Sequence, residues 1–220
     1  MQVCIHRGSK QIGGSCVEVE SHKQRLIVDL GLPLDAEKNS IQYLPKISGL
    51  DSSDSSLLGI LISHPHLDHF GLLTHIAPMI PVGMGPAARR ILNAAAPFLP
   101  GNWPVPSEGW DYQSGLSFEV GPFRITPFLV DHSAYDAYAL LIESDGKRLF
   151  YSGDLRAHGR KSALFEHLVA DPPTDIGTLL LEGSSLGRLN NDQYFPTETD
   201  IETQLVEAFS ATEEIGRASC

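Results

Sequence analysis

The 220 residues carry 27 Asp and Glu against 16 Lys and Arg, a formal net charge of -11, and 42% of them are apolar, which suffices for the core of one large domain or two small ones. That balance argues against a broad basic surface for nucleic acid, although bound divalent cations would offset several of the charges locally. No apolar run reaches the roughly 18 residues of a membrane span, the start MQVCIHRGSKQ lacks the layout of a signal peptide, and Cys4, Cys16 and Cys220 have no C-x-x-C spacing that would suggest a disulfide framework or a cysteine zinc site. A cytoplasmic protein with no membrane partner is expected. In chain order, QVCIH, SCVEVE and RLIVD predict short strands, antiparallel at the start, separated by the turns SKQIGG and SHKQ. LLGILI, Leu57 to Ile62, predicts a strand buried on both faces, and AARRILNAAA after Gly85-Pro86 predicts a helix with Pro in its first turn. Pro97 to Trp110 reads as an irregular loop. LSFEV, FRITPFLV, YALLIE and RLFYS predict strands, the last two joined by a tight hairpin at Asp145-Gly146. A helix over about Lys161 to Val169 and a strand TLLLE come next, and TDIETQLVEAF predicts a final helix. Thr199 and Glu202 stand there in capping-box spacing, and Ile201, Leu205, Val206 and Phe209 share one face that needs a partner. The last residues of SATEEIGRASC look like a cloning or truncation remnant.

The chemistry concentrates in SHPHLDHFG. Directly after the apolar strand come His64, His66, Asp68 and His69, whose imidazoles and carboxylate are ligands for zinc and related ions. His64 and His66, two apart in an extended loop, can point the same way, and Asp68 and His69 on the next turn can reach a second ion about 3.5 to 4 Å from the first. Two ions need more ligands, and other strand ends supply them: His132 after FRITPFLV and Asp154 after RLFYS, with Gly153 free to turn sharply. Asp29 ends LIVD and Glu182 ends TLLLE in the same manner. Each residue has a plainer alternative. Asp154 can be a turn cap, Glu182 can cap the turn after it, and Arg156, His158 and Arg160 can hold a phosphate or form an exposed basic turn. Trp103 and Trp110 can stack on a base or anchor a proline-rich loop, while His6, His22, His75 and His167 read as surface or core residues.

Through LIVDLG, HPHLDH, VDHSAYD and YSGDLR, in order over residues 2 to 190, the chain resembles the metallo-β-lactamase superfamily. The resemblance implies an α/β fold, an αββα sandwich with a two-metal site along one edge. It implies that His64, His66 and His132 hold one ion, that Asp68 and His69 hold the other, that Asp154 bridges both, and that Asp29 braces the histidine loop from behind. LLLEGSSLGR with PTETDIETQLVEAF after it is similar to the β-CASP branch, which includes ribonuclease J, with Glu182 opening that branch's own motifs. Its later histidines have no counterpart after His167, so residues 1-195 are expected to be the N-terminal part of a metallo-β-lactamase domain, incomplete at the C-terminus. Residues 196-220 would then start a helical insert and end in the remnant. The expectation is a metal-dependent hydrolase using two Zn2+, or Mn2+, with Asp68, Asp154 and Glu182 as catalytic carboxylates and RNA or single-stranded nucleic acid as partner. Self-association through the final helix is expected as well. The alternatives are a small-molecule thioesterase or lactonase of the same fold, and a non-catalytic RNA-binding subunit.

Overall fold

Strands with one apolar residue on each face in alternation can be covered on both sides, and the central strands of this chain have that pattern. A computed structural model describes residues 1–98, 105–188 and 193–211. Its first sheet has the order β1 (Gln2–Arg7), β2 (Cys16–Ser21), β3 (Gln24–Val28), β4 (Leu57–Leu61), β5 (Val82–Gly83). β1 to β3 pair antiparallel, as expected, and β3, β4 and β5 pair parallel. The second sheet has the order β10 (Thr178–Leu180), β9 (Lys147–Tyr151), β8 (Tyr138–Ser144), β7 (Phe123–Leu129), β6 (Phe118–Val120), antiparallel except for the parallel pair β9 and β10.

The alternation decides which core each side chain joins. Leu26 and Val28 of β3 and Leu61 of β4 meet Phe123, Ile125, Leu140 and Ile142 of the second sheet. Their neighbours Ile27, Ile60 and Ile62 face outward onto Ala88 and Leu92 of α2 (Pro86–Ala95). On the far side, Ala139, Leu141 and Phe150 turn outward toward Leu168 of α3 (Ser162–Ala170). Each fully buried side chain of this size contributes about 1.5–3 kcal/mol. The result is two face-to-face sheets with helices on both outer sides, the αββα sandwich.

The β8–β9 hairpin turns through Asp145 and Gly146, both at positive φ (52° and 68°), the turn that Asp-Gly favours. Two sequence expectations are corrected. The strand read as TLLLE is shorter, Thr178–Leu180. The final helix, α4 (Glu198–Ser210), is capped by Thr197 and Asp200, not by Thr199 and Glu202: Asp200 N–H donates to Thr197 Oγ1 (3.1 Å), and Asp200 Oδ2 accepts from Thr197 N–H (2.9 Å). Its face of Ile201, Leu205, Val206 and Phe209 is exposed, as the sequence suggested. Trp110 packs on Phe118 at 6.1 Å at the edge of the inter-sheet core, while Trp103, Cys220 and the end of the tail from 212 lie outside the described residues. Among the described residues no helix is long and apolar enough to cross a membrane.

Candidate metal centre

β3 and β4 run parallel and end at the same edge of the first sheet, and the loops leaving their C-terminal ends build the centre. Asp29 leaves β3 in the left-handed region, φ 59°, while its N–H still donates to Leu61 O at 2.8 Å. After β4 the chain bends through residues 63–65 and is extended again at His66 (φ -100°, ψ 145°), the residue before the short helix α1 (Leu67–Phe70). The bend brings the His64 and His66 rings to 4.8 Å between centroids, and the helical turn then adds Asp68 and His69. The segment 30–32 clamps α1 from behind: Leu30 N–H donates to His69 O (2.8 Å) and Leu32 N–H to Leu67 O (2.9 Å). The close approach requires Gly31, because a Cβ there would lie 1.7 Å from Asp68 O.

The second sheet contributes at the same edge. β7 leads to His132 in a loop closed by Val130 N–H donating to Ala137 O (2.9 Å), and β9 leads through Gly153, φ 55°, to Asp154. Tyr138 N–H donates to Ser63 O at 2.9 Å and joins the two sheets beside the histidines.

Two groups of ligand-type atoms result, His64 with His66 and His132, and His64 with His69 and Asp154; within each the atoms lie within 4.8 Å of one another. His132 Nε2 is 3.1 Å from His66 Nδ1, His69 Nε2 is 3.4 Å from Asp154 Oδ1 and 3.7 Å from Asp68 Oδ2, and His64 Nε2 is 3.9 Å from Asp154 Oδ2. The residues fit a cation. His64 Nε2 is buried and has no hydrogen-bond partner in this arrangement, an unfavourable state for a polar nitrogen that a bound cation would relieve.

Behind the rings, buried Asp29 collects four donors. Its Oδ1 accepts from Ser63 N–H (2.7 Å), and its Oδ2 lies 2.8 Å from Ser63 Oγ, 2.7 Å from His69 Nδ1 and 2.6 Å from the Tyr151 hydroxyl, which reaches over from the other sheet. Ser63 Oγ is also 3.0 Å from His64 Nδ1. These contacts fix two rings with Nε2 toward the centre. Ser63 and Tyr151 carry no sequence signal for this role.

Burial, reinforced by the neighbouring imidazoles, pushes the His64 pKa well below its ordinary value, lowers that of His66 despite nearby carboxylates, and takes that of His132 down to about 4. All three rings are therefore neutral at pH 7, the form that coordinates metal. His69 differs: burial opposes its protonation, but Asp29 and Asp154 outweigh burial and push its pKa up to about 10. A cation between His69 and Asp154 would replace the proton on Nε2. Burial works against ionisation of Asp154 as well, yet the hydrogen bond with His69 holds its carboxyl below the ordinary range.

A cavity of about 660 Å³ opens beside this edge, lined among others by Arg7, Lys10, Asp68, His69, Asp154 and Glu182. Glu182 faces it, but its Oε2 accepts from Ser184 N–H (2.9 Å) and Oγ–H (2.7 Å), the geometry of a turn cap. The remaining histidines serve other contacts: His6 pairs with Glu18 (2.6 Å), His22 with Asp145 (2.7 Å) and His75 with Asn39 (2.8 Å), and His167 is exposed. Arg156 and Arg160 are engaged by Glu198 and Glu202 of α4.

A sandwich with histidines and aspartates gathered at one edge of both sheets is the architecture of metallo-β-lactamase-type hydrolases. Residues 40–172 match the model of the beta-lactamase superfamily domain, and the chain belongs to that superfamily. It is 27% identical over 224 residues to the RNase J-like protein of Methanocaldococcus jannaschii, an alignment covering 96% of this chain and 48% of that one. The chain thus spans about half the length of this curated relative. Among solved structures, a protein of unknown function from Enterococcus faecalis V583 superposes with a TM-score of 0.77 at 23% identity, covering 94% of this chain and 56% of that one. The MIM-2 metallo-beta-lactamase superposes with a TM-score of 0.55 at 18% identity, covering 76% and 69%.

Proposed function

We propose that this chain carries the metal centre of a nuclease of the β-CASP, ribonuclease J-like kind, which hydrolyses RNA phosphodiester bonds with two divalent cations, zinc or manganese. The supporting observation is the pair of histidine and aspartate groups sharing the unpartnered, buried His64 Nε2. In this reading His64, His66 and His132, held neutral by burial, would hold one cation, and Asp68, His69 and Asp154 would hold the other. Bound cations supply Lewis acidity, which acidifies water and stabilises charge building on phosphoryl oxygens. Asp29, through Nδ1 of His69 and the Ser63 hydroxyl, holds the rings in place. The carboxylates of Asp68 and Asp154 would orient the attacking water, whose proton would pass to a carboxylate oxygen that no cation engages. Glu182 adds negative charge to the cavity wall and shapes the turn behind it. RNA as substrate is drawn from the similarity to an RNase J-like protein.

The net charge of -11 favours a second reading, hydrolysis of a small thioester or lactone by the same centre. The experiment is to load the chain with zinc or manganese, measure metal per chain, and assay labelled RNA, single-stranded DNA, a thioester and a lactone in parallel. Metal-dependent RNA cleavage that disappears in Asp154→Asn is expected. Turnover of the small substrates with RNA untouched would replace the nuclease reading by the second.

A further inference from the structure

The turn 156–161, which carries Arg156, Arg160 and Lys161, packs against the loop that carries His132, and the hydrolytic chemistry gives these three residues no task. Arg156 comes two residues after Asp154, and its N–H donates to the backbone oxygen of Asp131, the neighbour of His132, at 2.8 Å. Buried Asp131 anchors the turn, its Oδ2 accepting from Gly159 N–H at 2.7 Å and its Oδ1 lying 3.5 Å from Arg156 Nε. Lys161 is occupied elsewhere, donating to the backbone oxygens of Ala134 (2.9 Å) and Tyr135 (3.0 Å). Three donors are left to grip anions: the Arg156 guanidinium, the Arg160 N–H and the Arg160 guanidinium.

The anions they hold are carboxylates of this chain. Glu198 Oε1 accepts from Arg156 Nη2 at 2.6 Å, Glu198 Oε2 accepts from Arg160 N–H at 2.9 Å, and Glu202 pairs with the Arg160 guanidinium. A guanidinium and a backbone amide converging on two oxygens of one anion is a grip that suits phosphate as well as carboxylate. The helix that brings Glu198 and Glu202 buries none of its residues. Glu198 N–H donates to His158 O at 3.0 Å, and Phe195 lies against the His158 ring at 5.3 Å. The Glu198 and Glu202 side chains are 38% and 57% exposed, and ion pairs that open to solvent are weak and screened by salt. A competing anion tethered next door can displace them.

Resting on the nuclease reading, we propose that Arg156 and Arg160 form a subsite for a backbone phosphate of RNA beside the scissile bond, and that Glu198 and Glu202 of α4 occupy it as phosphate mimics. RNA and the first turn of α4 then compete for the same two residues, so the helix weakens RNA binding until it is displaced. This places a cationic contact next to the metal centre in a chain whose overall charge repels nucleic acid.

The test measures binding of a fluorescein-labelled single-stranded oligoribonucleotide to the metal-free chain by anisotropy over a range of salt. The double variant Glu198→Gln/Glu202→Gln should bind about threefold to tenfold more tightly than wild type, with a salt slope steeper by about 0.7 per phosphate gained. A control, Glu108→Gln/Glu119→Gln, removes the same charge from exposed positions near β5 and β6, and should bring a much smaller gain. Arg160→Ala in the Glu198→Gln/Glu202→Gln background removes the guanidinium that Glu202 had paired with, keeps the Arg160 N–H, and should take away most of the gain; the Arg160 side chain is 60% exposed, so the variant should fold, with circular dichroism melting as the check. Equal gains in the two glutamine pairs, or a gain that survives Arg160→Ala, would overturn the subsite. The nuclease reading is scored separately with manganese added. Cleavage without the affinity gain removes the subsite alone, and the gain without cleavage by any variant removes the nuclease reading alone.

Discussion

Replacing Asp29 by Asn isolates the charge behind the histidines, because Asn has the same shape and is among the few residues that tolerate the left-handed φ of 59°. Four donors converge on the carboxylate: Ser63 N–H, the Ser63 and Tyr151 hydroxyls, and His69 Nδ1. If the amide oxygen keeps Ser63 N–H, the amide nitrogen faces the other three. The two hydroxyls can rotate to accept. Without metal His69 carries a proton on each nitrogen, so to accept at Nδ1 it must give up the proton bonded to Asp29 and keep the one on Nε2, which leaves no lone pair there for a cation beside Asp154. Loss of that charge-assisted hydrogen bond should cost about 1.5–3 kcal/mol of stability. Metal affinity should fall about 10–100-fold, the usual effect of removing an outer partner of a liganding histidine. Calorimetric zinc titration, with thermal melting in EDTA as the stability arm, measures both. Wild-type affinity in Asp29→Asn with an unchanged melting temperature would refute the claim that Asp29 orients His69.

The same geometry sets four further outcomes. His66→Ala should lose most of the metal at the three-histidine group, whereas His167→Ala, exposed on α3, should keep it; elemental analysis of the two variants compares them directly. Asp154→Asn should lower turnover more than metal content, since an amide oxygen still coordinates but brings no charge between two cations, and near-normal turnover at saturating metal would reduce Asp154 to a turn cap. Gly31→Ala should destabilise by about 3 kcal/mol or more and weaken metal binding with it, because the added carbon would sit 1.7 Å from Asp68 O; denaturant melts of the metal-free protein read the first effect. Stripping metal with EDTA should lower the melting temperature of wild type and lower that of His66→Ala by less, as expected when ligands bind only the folded state and one of the two sites is lost.

The features legible in the sequence were local. The apolar stretches in YALLIE, RLFYS and LLGILI and the Asp145-Gly146 turn each determine an element from neighbouring residues, and the histidines announce themselves by spacing. β5, with two residues, is too short to show a period. In TETDIETQ two capping pairs overlap, and local pattern alone does not choose between them. The pair that forms, Thr197 with Asp200, leaves Glu198 in the first turn, where it meets Arg156 and Arg160 on another part of the chain. Ser63 and Tyr151 were missed for a related reason. The hydroxyl of Tyr151 and the carboxylate it bonds are 122 residues apart, on different sheets, and only the packing of the sheets makes them neighbours.

That packing also explains why the centre forms at this edge. In the first sheet the parallel pair β3 and β4 puts Asp29 and the histidine loop at one end. In the second, β8 lies antiparallel between β7 and β9, so those two run the same way and release His132 and Asp154 at a common end. Two bonds between the sheets, Tyr138 N–H to Ser63 O (2.9 Å) and the Tyr151 hydroxyl to Asp29 (2.6 Å), align that end with the first. His64 belongs to the first sheet's loop and has ligand-type neighbours from both sheets, His66 and His69 from its own and His132 and Asp154 from the second. Apolar burial brings the sheets together, but it has no direction along the strands and tolerates sliding. The polar contacts at the edge fix the register, and the geometry that a metal requires is the register they select.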